Sequence, residues 1–240
     1  MSGVLFFSWL EISGAASASD SVVFACNEFP PYKMENSDSG LPGFDVEFLE
    51  EVFKRAGISV QIEYMPWERA LYEARYGRVD GVCSCSSTLE REKYLYFSDP
   101  LGKASSGLFS LSEKGFTNLT RVEDIGDKKV GVIKGYNIVE NLHAAKIKNI
   151  VELTNESQGL EMLFRGRIDF YYSYDAPTLF YLKNRNQSDM VTYHEISYGD
   201  YYSCLSKNLD GSEVLLKKFN TGLRQIKKDG TYDKILARYR

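Results

Sequence analysis

Apolar runs alternate with amphipathic stretches along the first half of the chain, a pattern typical of an α/β fold. Three short apolar runs predict buried strands, and the segments between them carry apolar residues at helical spacing. At the start of the first such segment, Asp45 can accept hydrogen bonds from the free amides of the opening helical turn. This order implies parallel strands joined by right-handed crossovers. The predicted elements are strand 22–26, a helix from 43 to 57, strand 58–64, a helix from 65 to 77 and strand 79–83.

The same order of elements returns in the second half of the chain. Gly77-Arg78-Val79-Asp80-Gly81 and Gly166-Arg167-Ile168-Asp169-Phe170 occupy equivalent places in the two series. The repeat predicts two similar α/β lobes, with any ligand expected at the carboxyl ends of their strands. The predicted elements of this half are strand 129–133, a helix after Gly135-Tyr136-Asn137, strand 150–153, a helix that includes residues 159–164, and strand 168–172.

Two passages of the chain connect the predicted lobes. They predict a hinge, because bending is concentrated in a few residues while each lobe stays packed. The first lobe is predicted to comprise residues 21–101 and 203–240, the second lobe residues 108–195, and the two hinge crossings residues 102–107 and 196–202. Two C-terminal helices, 214–228 and 232–240, are expected to pack on the first lobe, with Lys217, Lys218, Lys227 and Lys228 on their solvated side.

Composition supports a globular α/β protein and excludes a large nucleic-acid surface. Hydrophobic residues make up 43% of the 240-residue chain, enough to fill a core, and the 26% of charged residues sum to a net charge of −4. A nucleic-acid partner would require a dominant positive field. The 17 tyrosines are typical of surfaces that combine an apolar ring with a polar hydroxyl. No run reaches the ~20 apolar residues of a membrane span, and no cofactor motif is present in the sequence.

Residues 1–20 are predicted to be a leader that precedes the fold. An apolar run at residues 4–10 is followed by small residues ending in Ala16-Ser17-Ala18, which resembles a signal-peptidase site. No basic residue precedes the run and Glu11 interrupts it, so a disordered or fused tail is the alternative. A secretory leader would make the protein periplasmic or extracellular.

The four cysteines are compatible with an oxidising compartment but do not require one. Cys83 and Cys85 point to the same face of a predicted strand, so a bridge between them would be strained. The Cys-x-Cys spacing, with two isolated histidines elsewhere, does not fit a zinc site, and no metal is expected. Buried free thiols, or one disulfide to Cys204, are the expected outcomes, and Cys26 has no assigned partner.

Several short motifs follow one another along the chain. They are Phe29-Pro30-Pro31-Tyr32, Gly43-Phe44-Asp45, Asp80-Gly81, Glu90-Arg91, Phe97-Ser98-Asp99-Pro100 and Asp229-Gly230-Thr231-Tyr232-Asp233-Lys234-Ile235. In this order and spacing, residues 21–240 resemble the polar-amino-acid family of bacterial extracellular solute-binding proteins that serve ABC importers. Pro66-Trp67-x-Arg69-Ala70 resembles one branch of that family.

The resemblance implies an α/β, two-lobed type II periplasmic-binding-protein fold with a two-strand hinge. Such a protein is expected to be a monomer that closes on a small polar ligand, with an amino acid as the expected cargo, and then docks on an ABC permease. No cofactor is implied. Two alternatives stay open: an enzyme on the same fold, such as a cyclohexadienyl dehydratase-like lyase, and a ligand-sensing module. The chain ends just after its last predicted helix, which favours a binding protein over an in-chain sensor.

The resemblance also implies that Arg91 clamps the carboxylate of the ligand. The residue type suits the task, because a guanidinium offers a planar fork of donors and stays charged when desolvated. A surface arginine between Glu90 and Glu92 is the alternative. Ser87 and Thr88 are expected to offer hydroxyl groups to the same carboxylate, with capping of the next helix as their alternative.

In the second lobe, Tyr136 and Asn137 stand where the family commonly places Ser or Thr, so the contact to the ligand differs there. The acid that meets the ligand ammonium in the family falls near Tyr174 or Asp175, and a helix cap is the alternative for Asp175. Aromatic residues are expected to form the wall of the pocket through area and cation–π attraction. They are Phe29, Tyr32, Trp67 and Tyr136, with core packing as the alternative for Phe29 and Trp67. Arg69 is either a second charged contact or a solvated helix residue.

Overall fold

The computed structural model describes residues 21–37 and 39–239, and the predicted leader at residues 1–20 lies outside the described residues. The strands are β1 (Ser21–Cys26), β2 (Ser59–Tyr64), β3 (Gly81–Cys85), β4 (Leu95–Phe97), β5 (Gly102–Leu111), β6 (Val130–Ile133), β7 (Ile150–Leu153), β8 (Phe170–Tyr174) and β9 (Val191–Ser206). The helices are α1 (Phe44–Arg55), α2 (Trp67–Arg75), α3 (Ile138–Ala144), α4 (Glu156–Phe164), α5 (Asp175–Asn184), α6 (Ser212–Lys228) and α7 (Thr231–Ala237). In this part of the chain, no helix combines the length and the apolar character that a membrane crossing needs.

The two lobes are built on the same arrangement of three parallel strands. In the first lobe the order is β2-β1-β3, and in the second it is β7-β6-β8. The predicted alternation of strands and helices is therefore confirmed, with element ends displaced by a few residues. Each central strand is the first strand of its series, and a crossover on either side brings in the second and the third.

An aspartate with the same role marks the repeat in both lobes. Asp80 accepts a hydrogen bond from the amide of Val23 at 2.8 Å and donates its own amide to the Val23 carbonyl at 2.8 Å. Asp169 makes the same pair of bonds with Lys129, each 2.9 Å long. The equivalence predicted for the two Gly-Arg-x-Asp segments is thus confirmed. Both β3 and β8 begin just after these aspartates, two residues later than predicted.

The lobes are joined by two antiparallel strands, β5 and β9. β9 pairs with β5 from Val191 to Tyr201, and its last residues pair with β3 and β4 of the first lobe. The chain therefore forms one continuous sheet through β9. The predicted two-strand connection is confirmed, although both strands are longer than the predicted crossings.

The C-terminal helices pack on the first lobe, as predicted. Phe219, Leu223 and Ile226 of α6 are buried in the same core as Val52 and Phe53 of α1. The two helices approach closely because Gly222 faces Val52, where an added Cβ would lie 2.8 Å from the valine Cγ1. The opposite face of α6 is exposed and carries the predicted lysines, Lys217, Lys218, Lys227 and Lys228.

Asp45 does not cap α1, contrary to the prediction. The helix begins after Gly43 without a side-chain cap, and Asp45 is fully buried. Its Oδ1 accepts a hydrogen bond from the hydroxyl of Tyr201 at 3.0 Å. The amide of Asp45 is instead bound by the carbonyl of Tyr32 at 2.9 Å, because the loop before α1 folds back over the helix start.

All four cysteines form disulfides, which corrects the expectation of free thiols or a single bridge. Cys26 pairs with Cys83, and Cys85 pairs with Cys204. β3 lies between β1 and β9, so two cysteines on one face of β3 can reach partners on opposite sides. The sequence could not assign these pairs, because strand neighbours are decided by the fold and not by spacing.

Candidate functional site

A small cavity lies between the lobes, beside the carboxyl ends of β1 and β3. Its volume is about 50 Å³, room for about four water molecules. Most of the residues that form its wall are buried. The residues that line it are Asn27, Phe29, Tyr32, Lys33, Trp67, Ser84, Cys85, Ser86, Arg91, Ala104, Tyr136, Asn137, Tyr174 and Tyr201.

Arg91 stands at the junction of the two lobes and is only 5% exposed. A short 3-10 turn, Arg91–Lys93, places it, and the hydroxyl of Thr88 accepts a hydrogen bond from its amide at 3.2 Å. Its Nη1 donates to the carbonyl of Ser86 at 2.8 Å, and its Nη2 donates to the carbonyl of Gly135 in the second lobe at 2.9 Å. Burial lowers the pKa of the guanidinium from its ordinary value. A buried cation fixed in this way can offer its remaining donors to an anion.

Lys33 is the second buried cation of the wall, and it is 3% exposed. Its backbone is held by paired hydrogen bonds with Phe29, at 2.9 and 3.0 Å. The loop lies tightly against the start of α1 because Gly43 has φ 99° and no side chain; a Cβ there would lie 2.3 Å from the Tyr32 carbonyl oxygen. The Nζ of Lys33 donates to the hydroxyl of Ser84 at 3.2 Å.

Aromatic rings form most of the remaining wall. Phe29 packs against Tyr32, Tyr136 and Tyr174, with ring centroids 5.2, 6.0 and 5.5 Å apart. The guanidinium carbon of Arg91 lies 5.4 Å from the Trp67 ring, and Lys33 Nζ lies 4.9 Å from the Phe29 ring. These faces stabilise positive charge and offer apolar area to a ligand.

Direct hydrogen bonds join the lobes around the cavity. The indole nitrogen of Trp67 donates to the carbonyl of Gly135 at 3.0 Å. The hydroxyls of Ser86 and Tyr174 lie 3.2 Å apart, and Tyr174 also donates to the Asn137 side chain at 2.5 Å. The bonds made by Trp67, Ser86 and Arg91 join the two lobes, and the Tyr174–Asn137 bond lies within the second lobe.

The wall carries positive charge. Among the described residues that line the cavity there is no carboxylate and no histidine. Burial lowers the pKa of Lys33 to about 8, and attraction to Asp45 opposes that shift. Burial raises the pKa of Asp45 to about 6, with Lys33 pulling in the opposite direction. Burial thus disfavours the charged form of each group, and the attraction between the two favours it. Lys33 lies in the wall, and Asp45 is not among the residues that line the cavity.

Seven of the ten predicted ligand-binding residues lie in this wall: Phe29, Tyr32, Trp67, Arg91, Tyr136, Asn137 and Tyr174. The other three lie outside it. Thr88 accepts from the Arg91 amide, as its capping alternative anticipated, and the exposed Ser87 donates to Glu92 at 2.7 Å. Asp175 opens α5, where its side chain accepts from the amide of Ala176 at 2.6 Å. The expected acid beside the ligand is thus absent from the lining set of the described residues.

Several other wall residues were not among the predicted ligand contacts, although Ser84 and Ser86 belong to the segment 84–88 that the resemblance implies lies beside the ligand carboxylate. Lys33 directly follows the Phe29-Pro30-Pro31-Tyr32 motif, and that position was the one available signal for it. Ser84 and Ser86 alternate with Cys85 at the end of β3 and bind Lys33 and Tyr174. Tyr201 enters from β9, more than 100 residues after Arg91 in the sequence, so no local pattern could have placed it beside the first-lobe residues of the wall.

One protein-family model matches residues 22–240, and it is described as bacterial extracellular solute-binding proteins, family 3. The chain belongs to this family. The predicted family is therefore confirmed, while the branch suggested by Pro66-Trp67-x-Arg69-Ala70 stays a prediction. Ligand pockets occur preferentially at the interface between domains, and this cavity lies between the two lobes.

Individual relatives agree with the family. The L-cystine-binding protein TcyJ of Escherichia coli (strain K12) is 29% identical over 209 residues, which are 85% of this chain and 76% of that protein. An ancestral arginine-binding protein bound to arginine superposes with a TM-score of 0.78 at 29% identity, over 91% of this chain and 97% of that chain. A histidine kinase sensor domain with similarity to periplasmic binding proteins reaches a TM-score of 0.82 at 20% identity, over 91% and 95% of the two chains, which shows a common fold alone.

Proposed function

We propose that this protein captures a small solute bearing a carboxylate, an amino acid or a close chemical relative, and delivers it to the permease of an ABC importer. The observation that carries the proposal is Arg91, a buried cation that hydrogen-bonds both lobes at the edge of the cavity. A ligand carboxylate on its free donors would hold the same residue and, through it, both walls. The cystine- and arginine-binding relatives support an amino acid as the class of cargo.

We propose that binding is coupled to closure of the lobes. A ligand that touches both walls binds the closed form better than the open form, so it shifts the population toward closure. We expect the bending to occur in residues 102–107 and 196–202. These segments lie between a first lobe of residues 21–101 and 203–240 and a second lobe of residues 108–195. The closed form would be the one that docks on the permease, with the protein acting as a monomer outside the cytoplasmic membrane.

We further propose that the ligand is released unchanged. The relatives are named for binding, and the lining residues of the described chain include no carboxylate or histidine. Lys33 is a titrating group in the wall, and the dehydratase-like alternative would have to use it, or a tyrosine, as its general acid or base. Recovery of intact ligand after long incubation with the protein, followed by proton NMR, is the expected result. Formation of a new compound in molar excess over the protein would favour the dehydratase-like alternative.

The carboxylate clamp is tested by thermal unfolding of the purified protein against a panel of amino acids. A true ligand at about 100-fold over its Kd adds about 2.7 kcal/mol, which raises the Tm by about 5–10 °C. Arg91→Met should reduce the affinity by at least about tenfold, because a charge-assisted hydrogen bond in a buried site is lost.

Arg69→Met is the matched control for this experiment. Arg69 lies on α2, close in sequence to Trp67, but its side chain is 67% exposed and pairs with Glu73 at 3.5 Å. Its removal should leave the ligand-induced shift in Tm unchanged. Equal stabilisation of the wild-type and Arg91→Met proteins by the same amino acid would contradict the clamp.

A further inference from the structure

Lys33 is a second buried cation in the cavity wall, and the carboxylate clamp proposed at Arg91 does not involve it. It reaches the cavity from the loop between β1 and α1, whereas Arg91 comes from the turn after β3. Both side chains are more than nine-tenths buried. Two cations in one small cavity repel each other, and this repulsion is among the causes that lower the pKa of Lys33.

The ammonium of Lys33 has donors to spare. It has three N–H donors, and within residues 21–37 and 39–239 its hydrogen-bond partner is the Ser84 hydroxyl, 3.2 Å away. No carboxylate of this part of the chain lies within 4.0 Å of it. Asp45, the acid whose charge acts most on Lys33, accepts a hydrogen bond from the Tyr201 hydroxyl on its Oδ1, and its Oδ2 has no hydrogen-bond partner within the described residues. The remaining neighbours of the ammonium are the faces of Phe29 and Trp67.

A buried ammonium with unused donors is costly unless an anion or another acceptor meets it. The aromatic faces supply part of that stabilisation, but they do not accept N–H hydrogen bonds as strongly as an oxygen. In the closed cavity the ligand is the group placed to supply the oxygen. A ligand with a cationic side chain would instead add a third positive charge to Lys33 and Arg91.

We infer that the pocket selects a short ligand with two acid groups, one carboxylate on Arg91 and a second on Lys33. This inference rests on the proposed function, and it names the class of cargo. A short ligand is expected because Arg91 and Lys33 line the same small cavity, so one molecule has to reach both cations. Two sources share this chemistry: an acidic amino acid, and a dicarboxylate without an amine.

Isothermal titration calorimetry on the full chain tests the inference with pairs of ligands that differ by one charge. The pairs are L-glutamate with L-glutamine and L-aspartate with L-asparagine, and glutarate and succinate serve as diacids without an amine. In the wild type, at least one acid should bind about tenfold or more tightly than its amide. Equal affinities within both pairs would overturn the inference. So would the absence of binding by all four acids, L-glutamate, L-aspartate, glutarate and succinate.

Lys33→Met keeps the length and apolar stem of the side chain and removes the charge. It should abolish the preference for the acid over the amide, while Lys33→Arg should keep most of it. Lys218→Met, on the exposed face of α6, is the matched control and should leave both affinities unchanged. An undiminished acid preference in Lys33→Met would overturn the inference, and the wild-type comparison decides the matter if that variant does not fold.

The same titrations separate this inference from the proposed function. Binding of L-glutamine that depends on Arg91, with no gain for L-glutamate, would sustain the carboxylate clamp and overturn the role of Lys33. Absence of binding by every carboxylate in these titrations would overturn the inference, and the proposed function would fail only if the wider amino-acid panel also gave no rise in Tm. Among positive results, glutamate tighter than glutarate identifies an acidic amino acid, and the reverse order identifies a dicarboxylate.

Discussion

Glu156, the first residue of α4, is a carboxyl group enclosed in the second lobe. Its oxygens accept hydrogen bonds from the hydroxyls of Tyr171, Ser173 and Thr178, at 2.7, 2.9 and 3.0 Å. Burial raises its pKa to about 7, and the three hydroxyls oppose that shift. Its hydrogen bonds have ordinary lengths, but its raised pKa moves its ionisation from acidic pH to near neutral pH.

This shift makes the stability of the protein depend on pH. Because the folded-state pKa is above the ordinary value of 4.5, the protonated form favours folding. The contribution is fully present below about pH 4.5, and it is lost as the pH rises through about 7. With 1.36 kcal/mol per pKa unit, the loss amounts to about 3 kcal/mol. Asp45, with its pKa raised by burial to about 6, adds to the same trend.

We expect the urea concentration at the unfolding midpoint of the wild type to decrease as the pH is raised from 5 to 8. Glu156→Gln should make this decrease smaller. The amide cannot ionise, so the contribution of Glu156 is lost while that of Asp45 remains. Glu161→Gln, on the same helix but exposed and paired with Arg165, is the control and should retain the wild-type slope. A Glu156→Gln protein with the full wild-type slope would show that this carboxyl does not set the pH dependence.

Single residues also show how far sequence reasoning reached. Arg91 was predicted to be the clamp because it follows Glu90 in a motif, and the structure places it in the wall of the cavity. Lys33 lies beside an equally clear motif, yet a lysine in a loop is ordinarily solvated. Its burial depends on the approach of α1, Ser84 and Trp67, which come from three separate segments.

At the scale of elements, β3 connects the cavity to the rest of the first lobe. Cys83 ties it to β1, and Cys85 ties it to β9 at the point where the chain returns from the second lobe. Ser84, Cys85 and Ser86 then line the cavity. The bridge between Cys85 and Cys204 therefore holds both the end of β3 and one of the two connecting strands.

Removal of this bridge should cost stability and affinity together. The Cys85→Ser/Cys204→Ser protein loses a cross-link across 119 residues, worth up to about 5 kcal/mol by the loop-entropy relation. The Cys26→Ser/Cys83→Ser protein loses one across 57 residues, worth about 4 kcal/mol, but neither cysteine lines the cavity. Urea unfolding and ligand titration of both variants make the comparison. We expect both variants to be less stable than the wild type, and the Cys85→Ser/Cys204→Ser protein to lose more ligand affinity. A larger loss of affinity in the Cys26→Ser/Cys83→Ser protein would contradict the link between the Cys85–Cys204 bridge and the cavity.

The order of the elements could be predicted because each strand and helix leaves a local pattern of apolar positions. β4 and β9 are elements that could not be predicted in this way. β4 is three residues long, and β9 carries no period-two alternation through its exposed middle section. A strand of this kind forms because its partners supply the hydrogen bonds, so its length of 16 residues is decided by β3, β4 and β5.

For the whole molecule, closure is the property that links fold to function. Few direct hydrogen bonds hold the two walls together at the cavity, and Trp67 makes one of them with Gly135. Each such bond contributes about 0.5–1.5 kcal/mol. A change of that size alters the ratio of closed to open forms by about two- to tenfold.

Trp67→Phe should therefore weaken ligand binding by about two- to tenfold and leave the unfolding midpoint of the protein close to the wild-type value. Small-angle X-ray scattering should show a smaller decrease in the radius of gyration on addition of the same concentration of ligand. Tyr72→Phe, on the exposed side of the same helix, is the control and should behave as the wild type. A Trp67→Phe protein that binds and compacts as the wild type does would exclude a role for this bond in closure.

The sequence by itself determined the alternation of strands and helices, the repeat of the two lobes, the family and the presence of Arg91 at the site. These features are local, since a short window of residues carries the apolar period, the turn glycines or the motif. Tertiary structure alone decided the disulfide pairs, the long β9 strand and the burial of Lys33 beside Arg91. Each of these depends on segments distant in sequence that meet at the carboxyl ends of the strands, and the charge of the cavity is fixed there.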